Sequence, residues 1–198
     1  MRELRSHLLL AMIILAAGAV GIAQEVDRPG PTGTIRFPDV EGWERSQVYR
    51  YPLEELGYSV NYESTVGGKV TLYVYDKNLK SIPDGIEGML FKDELKDAKN
   101  QIMKAVELRY YESADILKDD SITLGGENGN VQALRMVIRL KTGGKNLTSE
   151  IYIFGYDNDF IKLRATRAEE IEGLQNRAIT DLFAALDKLF TKDAEVSN

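Results

Sequence analysis

Side chains able to do acid–base or nucleophilic chemistry are scarce in this 198-residue chain. It has no cysteine, and its one histidine is His7, inside an apolar N-terminal run. Beyond that run there is neither imidazole nor thiol. This excludes a Ser-His-Asp triad, a Cys-His pair and zinc sites built on histidine or cysteine. Neither G-x-x-x-x-G-K-[ST] nor G-x-G-x-x-G occurs, so no phosphate-loop signature is present. Carboxylates, Lys, Tyr and Ser remain. Asp157, Asn158 and Asp159 could offer oxygens to calcium, but the glycine and glutamate that complete an EF-hand loop are missing. The same three residues are those of a hairpin turn. Asp119-Asp120 reads as a solvated bend rather than an acid–base pair. The expectation is a chain with no catalytic residue, no metal and no cofactor.

A binding surface is the other chemical possibility. Residues 130–166 read as three consecutive strands joined by two tight turns and leading into a C-terminal helix. In the first strand Leu134, Met136, Ile138 and Leu140 alternate with Ala133, Arg135, Val137 and Arg139, the period of two that buries one face of a sheet. Gly143-Gly144 and Asp157-Asn158-Asp159 supply the turns. If Ile151, Ile153, Ile161 and Leu163 share the core face with Leu134 to Leu140, then Tyr152, Phe154 and Tyr156 lie opposite, beside Arg135, Arg139, Lys162 and Arg164. These seven residues are the candidate binding site, a basic and aromatic surface suited to an anionic glycan, a peptide or a partner protein. An exposed Arg–Tyr contact contributes about 0.5–1 kcal/mol. The competing reading is a helix that covers this face, with the Arg and Lys stems packed around it.

The elements that must position such a surface follow in order. Residues 35–43 form an extended entry ending at Trp43, the one tryptophan, which is expected to plug an end of the core. A short strand is expected at 48–52. Residues 57–63 and 69–76 make a hairpin about Gly67-Gly68, and the second strand is apolar on both faces, as a central strand is. Asp84 and Glu87 have the spacing of a capping box, followed by the stripe Phe91, Leu95, Ala98, Ile102 and Ala105, which predicts a helix to about Tyr110. Residues 113–124 read as a strand, with a break possible at Asp119-Asp120. After the three-strand meander, Thr166 and Glu169 have capping-box spacing and open a closing helix with Ile171, Leu174, Ala178, Leu182, Ala185 and Leu189 on its stripe. The fold class is therefore α+β: an antiparallel sheet of about six or seven strands flanked by two long helices.

Composition bounds the rest. The chain is 43% hydrophobic and 28% charged, ordinary for one folded domain. Residues 1–23 combine Arg2 and Arg5, an apolar run and the small-residue end Gly21-Ile22-Ala23, the pattern of a cleavable signal peptide. The run is about 16 residues, short of the roughly 20 a membrane span needs, so no stable span is expected after cleavage. Residues 24–34 read as a flexible leader, 35–192 as a single domain and 193–198 as a frayed tail. Of 25 Lys and Arg and 31 Asp and Glu, the first 23 residues hold Arg2, Arg5 and Glu3, so the remainder carries −7. Such a chain is a poor general binder of nucleic acid. The expected location is exported, periplasmic or extracellular.

The entry Phe37-Pro38 and Gly42-Trp43, then a hairpin, a helix, a meander and a strand running into a terminal helix, resembles the PsbP-like and DcrB-like group of small α/β/α domains over roughly residues 35–190. The resemblance implies a non-enzymatic, exported or assembly-associated accessory protein, and it transfers no site residue. The function expected is an exported non-catalytic binding or accessory domain of the cell envelope, acting through a sheet face or edge on an envelope protein or glycan. Two alternatives stay open. One is a carboxylate-based hydrolase. The other is a small-ligand carrier with a pocket between sheet and helix, lined by Tyr73, Tyr75, Phe91 and Ile102.

Overall fold

The computed structural model describes residues 29–30, 33–34, 37–169 and 172–191. In chain order the strands are β1 (Pro29–Gly30), β2 (Gly33–Thr34), β3 (Trp43–Arg45), β4 (Tyr49–Arg50), β5 (Tyr58–Ser64) and β6 (Lys69–Tyr75), followed by helix α1 (Met89–Glu107). Then come β7 (Ser113–Thr123), β8 (Gln132–Thr142), β9 (Lys145–Tyr156), β10 (Asp159–Ala168) and helix α2 (Glu172–Leu189). The main sheet has eight strands in the order β3-β5-β6-β10-β9-β8-β7, with β4 also on β5. Its ladders are all antiparallel. One helix packs on each face, which is the expected α+β class. The signal peptide and the tail read from the sequence lie outside the described residues, as do the side chains of Ile171 and Leu174. β1 and β2 pair with each other within the stretch read as a leader.

Two hairpin turns of two residues each fix the register. Gly143-Gly144 (φ 56 and 73) pairs Thr142 with Lys145, and Asp157-Asn158 (φ 51 and 67) pairs Tyr156 with Asp159. Positive φ at both central residues matches the turn to the twist of the strands. A two-residue loop makes odd residues face even ones. Ile153 therefore lies opposite Leu134, as expected, but Ile161 lies opposite Phe154, Leu163 opposite Tyr152, Lys162 opposite Ile153 and Arg164 opposite Ile151.

That parity builds two cores. On the α1 face Tyr73, Tyr75, Phe91, Ala98, Ile102, Met136, Ile138, Ile151, Ile153 and Phe160 are buried together. On the α2 face Val60, Leu72, Val74, Tyr152, Phe154, Ile161, Leu163, Leu182, Phe183 and Leu186 are. Trp43 closes one end of the second core, its indole Nε1 donating to the Ala178 carbonyl at 3.1 Å. β6, between β5 and β10, is buried on both faces, as its doubly apolar sequence requires.

The helix ends differ from the sequence reading. Asp84 does not cap α1: its carboxylate accepts the Asp157 amide at 2.8 Å, and the helix starts at Met89 after Gly88, whose φ of 96 turns the chain into it. The segment before it is held extended because Gly85 and Gly155 exchange backbone hydrogen bonds of 2.9 and 2.8 Å. α1 stops at Glu107 rather than Tyr110: Arg109 is left-handed (φ 62), and the Tyr110 amide reaches back to the Ala105 carbonyl at 2.9 Å. Thr166 does not cap α2. It belongs to β10, where its hydroxyl lies 3.0 Å from that of Ser149, and α2 begins at Glu172. β7 runs unbroken through Asp119-Asp120, with its irregularity between Ile116 and Lys118.

Candidate functional site

The seven residues proposed as one surface are divided between the two faces. Arg135, Arg139, Tyr152, Phe154 and Tyr156 lie on the α2 side, whereas Lys162 and Arg164 lie on the α1 side, because of the turn parity at Asp157-Asn158. The aromatic row is covered as well. Tyr152 packs edge-on to Phe183 at 4.8 Å, and Phe154 and Tyr156 pack against Phe190 at 5.3 and 5.4 Å.

The cations on this side already carry acids. Arg135 donates twice to Asp120, at 2.8 Å each, and Arg139 donates to Glu169 at 2.8 Å. Buried Arg167 donates to Glu150 at 2.7 Å, and Glu150 also accepts the Tyr152 hydroxyl. The sequence reading missed Glu150 and Arg167, gave Glu169 to a helix cap rather than to Arg139, and read Asp120 as a solvated bend. Cross-strand pairing is the signal that finds Asp120, since it stands opposite Arg135, but the irregularity in β7 hides that register from simple counting.

Asp120 carries a pH prediction. The hydrogen bonds from Arg135, and then from Lys118, hold its carboxyl at about 2, below the ordinary 3.8. A depressed folded-state pKa contributes stability above pH 3.8 that is lost as pH falls through 2. Asp120→Asn should therefore flatten the dependence of the urea midpoint on pH between 4 and 2. An equally steep wild-type and variant profile would show that the pair contributes nothing to acid stability.

A concavity touches some of the predicted residues. A groove of about 300 Å³ at the end of α2 is lined by Phe154, Tyr156, Phe190, Asn130, Gln132 and the backbone turn at Asp84-Gly85. Its walls are placed by long-range ties. The Gly85–Gly155 exchange sets the Asp84-Gly85 turn against β9. Asp187 of α2, itself buried, accepts the Asn130 amide at 2.9 Å and the Val131 amide at 2.8 Å, which pins the start of β8. The floor is aromatic. The polar groups of Asp84 and Asn130 are already engaged, with Asp157 and Asp187 respectively.

The α1 side holds a second chemical cluster. The Lys162 ammonium lies 4.7 Å from the centroid of Tyr73 and 5.2 Å from that of Tyr75. The Tyr75 hydroxyl donates to Glu94 at 2.6 Å, and Lys77 also bonds Glu94. Burial, then the Glu94 charge, pushes the Tyr75 hydroxyl well above its ordinary value. Arg164 donates to Ser149 at 3.1 Å and to the Tyr111 hydroxyl at 2.9 Å. The four residues expected to line a carrier pocket, Tyr73, Tyr75, Phe91 and Ile102, are packed into this core with Phe160: Tyr75 and Phe91 lie 5.5 and 5.8 Å from its ring. Among the described residues no group of three acidic side chains is placed to hold a metal ion.

No family model matches the chain, and no curated protein matches it. Among solved structures, the solution structure of cyanobacterial PsbP (CyanoP) from Synechocystis sp. PCC 6803 aligns with a TM-score of 0.47 and 14% identity, over 85% of this chain and 94% of that one. The chain has a PsbP-like resemblance. At this identity it assigns no residue a role. Among the described residues no helix is long and apolar enough to cross a membrane.

Proposed function

We propose that this protein is an exported, non-catalytic binding or accessory domain of the cell envelope, and that the groove beside Tyr156 receives an apolar side chain of a protein partner. The groove carries the proposal: an aromatic floor of Phe154, Tyr156 and Phe190, open to solvent, on a molecule whose sheet is packed on both faces. A protein partner fits better than a glycan. Sugar hydroxyls need several hydrogen-bonding groups, and here the Asp84 carboxylate accepts the Asp157 amide and the Asn130 side-chain amide donates to Asp187. The N-terminal signal-like run supports export. The non-catalytic reading is supported by the buried carboxylates: Glu94 is held by Tyr75 and Lys77, Glu150 by Tyr152 and Arg167, and Asp187 by the amides of Asn130 and Val131. A hydrolytic pair needs acids open to substrate.

The test places a photo-crosslinking side chain at Gln132, on the groove rim, and at Lys92, exposed on α1, in the exported protein. A discrete adduct is expected from position 132 and not from 92. Tyr156→Ala should weaken it about tenfold, the effect of losing part of one aromatic contact. The same adducts from both positions, or none from 132, would remove the groove from consideration.

A further inference from the structure

We propose that the open edge of β7 docks an extended, basic segment of a partner protein, which joins the sheet as a further strand. The proposal does not rest on the Tyr156 groove. Both faces of the sheet are packed, so its edges are where the sheet itself can still meet a partner. The two edges differ. On the β5 side the edge is made by β3 and β4, of three and two residues, too short to template a strand. On the other side it is β7, eleven residues long and paired, among the described residues, with β8 alone.

The ladder fixes which backbone groups face outward. The Leu124 amide donates to the Val131 carbonyl at 2.8 Å, and every second pair from there turns its main-chain groups inward: Ile122 with Ala133, Asp120 with Arg135, Lys118 with Val137. The N–H and C=O groups of Asp119, Ser121 and Thr123 therefore point away from β8, the arrangement that accepts an added strand. The irregularity between Ile116 and Lys118 interrupts this run. The usable edge is residues 118–123, with Leu117, 48% exposed, at its end for an apolar contact.

Charge selects the occupant. Asp120 is held by Arg135 and by Lys118, at 2.8 and 2.7 Å. Asp119, exposed and opposite Met136, has no side-chain partner among the described residues. A carboxylate at that position favours Lys or Arg across from it and disfavours another acid. A second copy does not supply the cation. In the antiparallel registers that match the outward groups of 119, 121 and 123 with themselves, Asp119 meets Asp119, Ser121 or Thr123. The occupant is thus a different chain, with Lys or Arg facing Asp119.

The probe is a short peptide of alternating Thr and Val with a central Lys, and its counterpart with Glu there, added to the full chain at about 1 mM. Amide exchange and chemical shifts, read residue by residue by NMR, report the outcome. The Lys peptide should protect the amides of 119, 121 and 123. It should bind about tenfold tighter than the Glu peptide, the difference between an opposite- and a like-charged cross-strand pair. Asp119→Lys should reverse that order. Ser121→Pro removes one outward N–H and no ladder bond, so the sheet should persist and peptide binding should be lost. Should the Pro variant fail to fold, the charge reversal at 119 decides. The proposal is overturned if the Lys peptide leaves those amides unperturbed, if both peptides bind alike, or if a folded Pro variant binds as well as the wild type. Shifts at Tyr156 and Phe190 instead would place the peptide in the groove and overturn it. Concentration-dependent protection of 119, 121 and 123 without peptide would assign the edge to a second copy, which overturns it equally.

Discussion

Gly155→Ala is expected to lower stability by more than about 3 kcal/mol, the upper end of overpacking costs, with loss of two backbone hydrogen bonds added. A Cβ at position 155 would sit 2.0 Å from the Pro83 carbonyl oxygen and 2.8 Å from Phe91 Cζ. Neither neighbour can yield cheaply. The Pro83 carbonyl belongs to the segment that the Gly85–Gly155 exchange clamps onto β9, and Phe91 is fully buried at the start of α1. Relief therefore means breaking the clamp, which would also open one wall of the Tyr156 groove. Urea unfolding followed by circular dichroism measures the loss. A decrease below about 0.5 kcal/mol, within the range of an ordinary surface change, would mean that the clamp opens at little cost.

Asp187→Ala should cost about 3 kcal/mol. Its carboxylate, 3% exposed, accepts the main-chain amides of Asn130 and Val131 at 2.9 and 2.8 Å and the Asn130 side chain at 3.3 Å. Truncation leaves buried donors with no acceptor, at about 1–3 kcal/mol each. Asp187→Asn keeps one acceptor oxygen and should recover part of the loss. The comparison separates hydrogen bonding from packing: if the Asn variant is as unstable as the Ala variant, the tie to the β7–β8 connection is not what Asp187 contributes. Hydrogen exchange at residues 130–132 gives a local readout, since these amides should lose protection in the Ala variant before the rest of the sheet does.

The helix boundaries show where local sequence stops being informative. Asp84 and Thr166 each have the spacing of a cap, and neither caps a helix. Asp84 is taken by the Asp157 amide 73 residues away, and Thr166 by a strand that continues through it. A capping side chain satisfies one amide locally, but a competing partner from a distant segment satisfies the same need. The apolar stripe of α1 was legible because Phe91, Leu95, Ala98, Ile102 and Ala105 must all be buried for the helix to pack at all, and all five are.

The candidate surface failed for a different reason. Each strand's alternation was readable, and so were both turns. Joining them needed the parity of a two-residue loop, which sends Lys162 and Arg164 to the face opposite Tyr152 and Phe154. The acids that neutralise the arginines come from β7, β9 and the segment after β10, at sequence separations of 15 to 30 residues, so no local window contains the pairs.

From the chain of letters alone followed the strands β5 to β10, the two helices, the α+β class, and the lack of imidazole and thiol beyond residue 23. These depend on composition and on periods of two and 3.6, which neighbouring residues already express. The tertiary structure decided which face each charged side chain meets, which carboxylates are spent on backbone amides, and where a groove stays open. Those outcomes depend on contacts between segments far apart in the chain, where one residue of register exchanges the buried side of a strand for the other.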